Sequence, residues 1–272
     1  MRDIESRGSF LRCLAFVGAA VVFALIPKGA LGACVLNVAE RVPWIQRVSS
    51  HRPAPVPPGH LRVTYLGHSS FLVETPGGAS IVTDYNDQAP PAWTPDAATM
   101  SNAHHLHSSG AIDPAVTHPL RSWDPKGGVS RVDVRIKDAK VFNVATNFSD
   151  FGGVRTNGNS IFVVEAAGLC VAHLGNLRHL LDKKTLRALG RIDVLFISAD
   201  GSWTLNHADA LRLIRQIGPA IVIPMQYDFM GPSVFGALAG QMFPVKVHDK
   251  DHLLVSRKTL PRRTEVVFLR GR

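Results

Sequence analysis

From residue 60 onward the chain carries short apolar runs rich in β-branched and aromatic residues. LRVTYLG, SSFLVET and ASIVTDY are punctuated by Gly67 and by Pro76-Gly77-Gly78, and runs of this length bounded by turn residues predict three strands of an antiparallel meander. Between Asn86 and Gly128 the periodicity fails, and prolines, histidines, tryptophans and small polar residues accumulate. That stretch predicts a long irregular loop, which is uncommon inside a compact domain unless it serves a site. Strand patterns return at VDVRIKD, AKVFNVAT, NSIFVVEA and LCVAHLG, with Gly152-Gly153 and Asn157-Gly158-Asn159 reading as turns. LLDKKTLRALGR has helical spacing and a basic end. DVLFIS, HADALRLIRQIG, AIVIPM and SVFGALAGQM then alternate strand with helix, before closing strands around PVKVHD, HLLVSR and EVVFLR. Strand meanders followed by strand–helix units predict an α/β chain in which helices cover the outer faces of two packed sheets, a four-layer αββα sandwich.

The N-terminal part follows a different pattern. The segment from Cys13 to Pro27 has no charged residue, follows an Arg-containing start and leads into Gly29-Ala30-Leu31-Gly32-Ala33, which reads as a signal peptide within residues 1–33. A run of this length falls short of the roughly 18 apolar residues that span a bilayer. A membrane anchor that recruits Leu31 to Val38 is the second reading. Leu31-Gly32-Ala33-Cys34 has the form of a lipobox, in which Cys34 would be lipidated, and equally that of an ordinary cleavage site followed by a chance Cys. Without lipidation, Cys34 and Cys170 could pair in an oxidising compartment. Residues 34–59 read as a Pro-rich linker, because SSHRPAPVPPG holds four prolines, and residues 60–272 as the folded domain. The expected location is therefore export, either to the periplasm or to a membrane face looking onto it.

Composition changes this picture little. The chain has 272 residues, 46% of them hydrophobic, which suffices for one large domain with a full core. The formal net charge of +9 includes no long basic run with interleaved aromatics. Arg257, Lys258, Arg262 and Arg263 flank a proline and read as a solvated turn, so a small-molecule partner is expected and nucleic acid is not. A Gly-rich phosphate loop ending in Lys-Ser or Lys-Thr is absent, as is a GxSxG elbow, and Cys170 inside an apolar strand reads as an inert thiol.

The densest chemistry is Ser101-Asn102-Ala103-His104-His105-Leu106-His107-Ser108, with three imidazoles in four positions. Neutral imidazole is the commonest metal ligand, and a short loop can turn two of them toward one ion. A polar surface loop with incidental histidines is the plain alternative. His173 stands where the apolar run Leu169 to Ala172 gives way to Leu174-Gly175-Asn176, and a second strand exit offers Gln226, Tyr227 and Asp228. Polar groups just past buried strands are well placed to face a cleft.

LGHSSFLVET, IVTDYN, VAHLGN, DVLFIS and IVIPMQYD, in this order, resemble the landmarks of metallo-β-lactamase-fold hydrolases, in particular the lactonase-like branch that includes ascorbate-6-phosphate lactonase. In that superfamily one or two ions, usually zinc, activate a water for hydrolysis. The family motif T-H-x-H-x-D-H falls on Ser101 to His107: His104 and His107 match ligands, Asn102 stands for a His and Leu106 for the Asp. The next family His matches His173, the bridging acid falls on Asn176, and the last His falls on Gln226. The resemblance therefore implies one zinc on His104, His107 and His173 with an open position. It also implies Asp84 as the nearest family-like carboxylate for the general base, with Asp228 as a second choice, and His68, Asn102, Asn176 and Gln226 supporting ligands or touching substrate. The expected activity is metal-dependent hydrolysis of a small lactone, ester or phosphorylated metabolite. The competing expectation is a metal-free descendant that uses the old cleft to bind a ligand or protein partner.

Overall fold

The computed structural model describes residues 54–271 apart from Pro125, Gly127, Phe151 and residues 228–232. The expected signal or anchor, Cys34, most of the linker and Asp228 lie outside the described residues. In chain order the strands are β1 His60–Gly67, β2 Ser70–Glu74, β3 Ser80–Thr83, β4 Ala97–Met100, β5 His118–Arg121, β6 Asp133–Ile136, β7 Ala139–Asp150, β8 Gly153–Ala166 and β9 Leu169–His173. Helix α1, Lys183–Leu189, leads to β10 Val194–Ser198, α2 His207–Ile217, β11 Ile221–Met225 and α3 Ser233–Ala239. The last strands are β12 Val245–Val247, β13 His252–Ser256 and β14 Glu265–Phe268.

These strands form two mixed sheets, one in the order β13-β1-β2-β3-β4-β5 and one in the order β12-β14-β11-β10-β9-β8-β7-β6. The meander expected over residues 61–85 is present: β1 pairs antiparallel with β2 through Val63 and Val73, and β2 with β3 through Phe71 and Thr83. The parallel set β9, β10 and β11 is buried on both faces, which explains the unbroken apolar runs VLFIS and IVIPM. Val194 and Phe196 face the other sheet, whereas Leu195 and Ile197 face the helices. Between the sheets the Phe71 and Phe196 rings stack with centroids 3.9 Å apart, joining β2 to β10.

The helices begin and end where capping chemistry allows. Asp182 accepts from the Thr185 N–H at the start of α1, and Asn206 accepts from the Asp209 N–H at the start of α2, each satisfying a backbone donor without an intrahelical partner. Gly218 ends α2 in the left-handed conformation.

Two expectations are corrected. The stretch from Asn86 to Gly128 contains two strands, β4, paired in parallel with β3, and β5, paired in parallel with β4. Ala-Ala-Thr-Met has no alternation to reveal a strand, and Pro119 is tolerated because β5 is the sheet edge. Asn157 to Asn159 lie inside β8 rather than in a turn; Asn157 takes φ 57° where the β7–β8 register shifts, a bulge in a long hairpin. The expected α/β fold of two packed sheets is present, and on the outer face of the first sheet irregular chain also packs. Leu66, Leu72, Val82 and Ala98 pack there against Tyr85, Ala89, Trp93, Ile112 and Val116. The described helices bury their apolar residues on the second sheet.

Candidate functional site

The site residues gather where β9, β10 and β11 end, opposite the turn between β1 and β2 and the loops that follow β3 and β4. Three of them hold left-handed backbone without being glycine: His68 at φ 49°, Asp84 at 45° and Gln226 at 58°. Such conformations cost of order 1–3 kcal/mol each and persist where surrounding structure enforces them. Here the enforcement is visible, because the Gln226 N–H donates to the His68 carbonyl at 3.0 Å, and the Tyr65 hydroxyl donates to the same carbonyl at 2.8 Å.

Asp84 is fully buried. Its Oδ1 accepts the Ser101 N–H at 3.0 Å, and its Oδ2 lies 2.5 Å from His107 Nδ1. Burial works against the charge, but the His173 and His107 rings and the hydrogen bonds outweigh it, so the carboxyl stays below the ordinary carboxylate range. With Nδ1 donating to Asp84, the lone pair of His107 is on Nε2, which faces Gln226 Nε2 at 3.3 Å. The Ser198 hydroxyl donates to Gln226 Oε1, which orients the amide with its NH2 toward the ring. Ser198, Gln226, His107 and Asp84 thus form one continuous hydrogen-bonded chain.

His173 is also buried, with Nε2 donating to the Ser69 carbonyl at 2.7 Å and Nδ1 accepting the Gly175 N–H at 3.0 Å. Burial lowers its pKa despite the nearby Asp84 carboxylate, 3.7 Å from Nδ1, so the ring is the neutral Nε2–H tautomer. Gly175 is required for this approach. A Cβ there would fall 2.5 Å from Ser101 Cβ and 2.6 Å from Asn159 Oδ1, and its φ is 61°.

The other expected residues divide between loop anchors and the mouth. Asn102 is buried, accepting the His104 N–H at 3.0 Å and donating to the Gly158 carbonyl. Asn176 donates its backbone N–H to Asn159 Oδ1 at 2.8 Å and accepts from Arg178 Nε at 3.2 Å. The Leu106 carbonyl accepts from Ser69 and Asn86, pinning the histidine loop. His104 is exposed; partial burial, then His105, His107, Arg178 and His68, lower its pKa. The rings of His68 and His104 each lie 6.2 Å from that of His107.

Zinc needs an available lone pair on each donor. His173 offers none in this arrangement, that of His107 meets an amide N–H, and His104, near His107 but exposed, leaves a single imidazole with an available nitrogen among these three. Among the described residues no group of three or more His, Cys, Asp or Glu side chains is gathered to hold a metal ion. Asn102, Asn176 and Gln226 supply neutral amides, weaker toward zinc than imidazole or carboxylate, and Leu106 supplies nothing. The residues present do not fit the metal centre implied by the resemblance.

Sequence reasoning missed Ser198, the Ser69 carbonyl and Arg178. Ser198 was open to detection, since it is the one polar residue at the exit of an apolar strand and pairs in register with Met225, next to Gln226. The other two depend on tertiary approach.

Two packed mixed sheets with polar groups collected at the strand exits define the metallo-β-lactamase fold. A family model described as a beta-lactamase superfamily domain matches residues 62–226, and the chain belongs to that family. It is similar to a UPF0173 metal-dependent hydrolase of Carboxydothermus hydrogenoformans, 26% identical over 193 residues that cover 62% of this chain and 85% of that protein. A relative from Methanoculleus marisnigri with the same description is 28% identical over 188 residues, 62% and 81% of the two chains. Among solved structures, a proposed zinc-dependent hydrolase of the metallo-β-lactamase superfamily from Thermotoga maritima aligns with TM-score 0.58 at 24% identity, over 78% of this chain and all of that one. A proposed metal-dependent hydrolase from Parabacteroides distasonis aligns with TM-score 0.56 at 17% identity, over 78% and 94%. These likenesses carry the superfamily and its fold; they do not single out the lactonase-like branch.

Proposed function

We propose that this chain binds a small polar ligand at the mouth formed by His68, His104 and Gln226, and that the buried layer beneath is a structural hydrogen-bonded core rather than a hydrolytic metal centre. The observation that carries this reading is the engagement of both ring nitrogens of His107 and of His173 by protein partners. The hydrogen-bonded chain from Ser198 to Asp84 rigidifies the site and helps hold His68, Asp84 and Gln226 in their left-handed conformations, while the buried Ser101 Oγ beside it has no partner among the described residues. The Arg-led uncharged N-terminal run supports encounter with the ligand outside the cytoplasm.

The test is elemental analysis of the full chain purified without chelator, paired with thermal unfolding with and without added zinc. Substoichiometric metal and an unchanged midpoint are expected, since a metal that binds only the folded state would raise it.

Metal-dependent hydrolysis is the second reading. The relatives' description and the grouping of three histidine rings at one mouth favour it. About one tightly held zinc per chain, with zinc-dependent turnover of a lactone or phosphoester, would replace the first reading with this one.

A further inference from the structure

Arg178 lies two residues beyond Asn176, where the β9 exit turns toward α1. Its Nε donates to Asn176 Oδ1 at 3.2 Å and its Nη1 to the Ser149 carbonyl at 2.8 Å, while the guanidinium carbon sits 4.5 Å from the centre of the Phe148 ring. Arg155 stands at the same distance from that ring. Among the described residues, Arg178's direct partners are therefore neutral.

The two carboxylates that act on its charge are committed elsewhere. Asp150 accepts from the Gly152 N–H and from Arg155 Nη2, and Asp200 accepts the N–H groups of Ser202, Trp203 and Thr204 and the Thr204 hydroxyl. Among the described residues, none of the ion pairs involves Arg178. Partial burial and the charge of Arg155 press its pKa down, against the pull of Asp150 and Asp200. On its other side the exposed His104, whose ionisation Arg178 disfavours, has His105, His107 and His68 around it among the described residues.

A guanidinium held by two neutral bonds and a ring face keeps its remaining N–H donors in a fixed plane, the geometry that grips an oxyanion through two parallel bonds. We infer that Arg178 is the anchor for a carboxylate or phosphate group on the small ligand of this cleft. The inference rests on the ligand-binding reading and gives that ligand its charge class. It also accounts for Asn176, an amide where the resemblance places a metal-bridging acid: the amide holds Arg178 and leaves its charge free, whereas an Asp there would neutralise it.

The test is calorimetric titration of the full chain, in EDTA at constant ionic strength, with inorganic phosphate and separately with citrate. Saturable binding of at least one probe is expected, and the stronger of the two identifies phosphate or carboxylate as the preferred group. Arg178→Gln is expected to weaken that binding at least about tenfold, the scale of one charge-assisted bond of about 1.4 kcal/mol. Arg178→Lys, which keeps the charge but not the fork, should fall between the two, and Arg131→Gln, at a position lining a pocket that does not include Arg178, should bind like the parent. Equal affinity in Arg178→Gln and the parent, or no saturable binding of either probe, would overturn the inference while leaving the metal analysis untouched. Binding that appears only after zinc replaces EDTA would instead overturn the ligand-binding reading on which it rests.

Discussion

Asp84 Oδ2 lies 2.5 Å from His107 Nδ1 with both side chains sealed from solvent, so a single carboxylate orients the one ring that the histidine loop turns inward. The same carboxylate accepts the Ser101 N–H and therefore fixes both ends of the segment from Ser101 to His107. Removing one partner of a buried charged pair strands the other, which typically costs about 3–5 kcal/mol. Asp84→Ala is expected to lose stability on that scale in urea unfolding. Asp84→Asn should lose less, because Asn tolerates the left-handed backbone at this position and still offers an acceptor to Ser101.

His173 makes a pH-dependent contribution whose sign is fixed by its surroundings. Burial lowers its folded-state pKa below the ordinary 6.5, so the unfolded chain binds the extra proton first. Its contribution is complete above about pH 6.5 and is lost as pH falls from there toward the folded value. Asp84 adds a second loss lower down, beginning as pH drops through the unfolded carboxylate value of 3.8, because its folded pKa is lowered too. Urea midpoints measured from pH 8 to pH 3 should show two successive declines, and His173→Gln should shrink the first, leaving the part due to His104, while keeping the second. A flat profile between about pH 7 and 5 would mean that His173 takes up its proton equally in the folded and the unfolded chain, contrary to its burial and its bonds with Ser69 and Gly175.

Much of this arrangement was legible along the chain, and the boundary of legibility has a physical cause. VLFIS and IVIPM are apolar throughout because both faces of β10 and β11 are buried, and strand exits in a parallel set lie side by side, which brought His173 and Gln226 together. Ala97–Met100 carried no such signal, since four small or unpatterned residues become a strand only by pairing with β3. At the site, the residue types suggested ligands, but ring orientation is a tertiary matter. That His173 spends its nitrogens on Ser69 and Gly175 depends on a contact across 104 positions of sequence, which spacing cannot show. Leu106 and the three amides were the sequence features on which the metal-free expectation rested.

Gly175→Ala tests how tightly the β9 exit is locked to the histidine loop. The new Cβ would meet Ser101 Cβ at 2.5 Å, in a segment where Ser101 itself is held by Asp84, and the backbone would be forced into a left-handed conformation. Overpacking and the left-handed backbone each cost about 1–3 kcal/mol, so a combined loss of roughly 2–5 kcal/mol is expected in urea unfolding. Gly218→Ala serves as the comparison: it shares the left-handed backbone, but no atom lies within 4 Å of its Cβ position. Its loss should be near 1 kcal/mol, and the difference between the two measures the close approach at the site.

Restoring the ligand types is the most direct test of why the centre is closed. In the combined variant Asn102→His, Leu106→Asp, Asn176→Asp and Gln226→His, imidazole and carboxylate replace amide and alkyl at each position that the resemblance assigns to a ligand. Gln226→His removes the amide that faces His107 Nε2 and releases that lone pair, and His tolerates the left-handed backbone there. Asn176→Asp places a carboxylate beside Arg178 Nε, where an ion pair should form in the absence of metal. If amide substitution is what closes the site, the variant should take up about one zinc or more per chain and gain thermal stability on metal addition, while the parent does neither. The single change Gln226→His should not suffice, because His173 would still have both nitrogens bonded to protein. Zinc uptake by that single variant would show that His173 readily rotates away from Ser69, and the core would then be a metal site in waiting rather than a settled hydrogen-bonded structure.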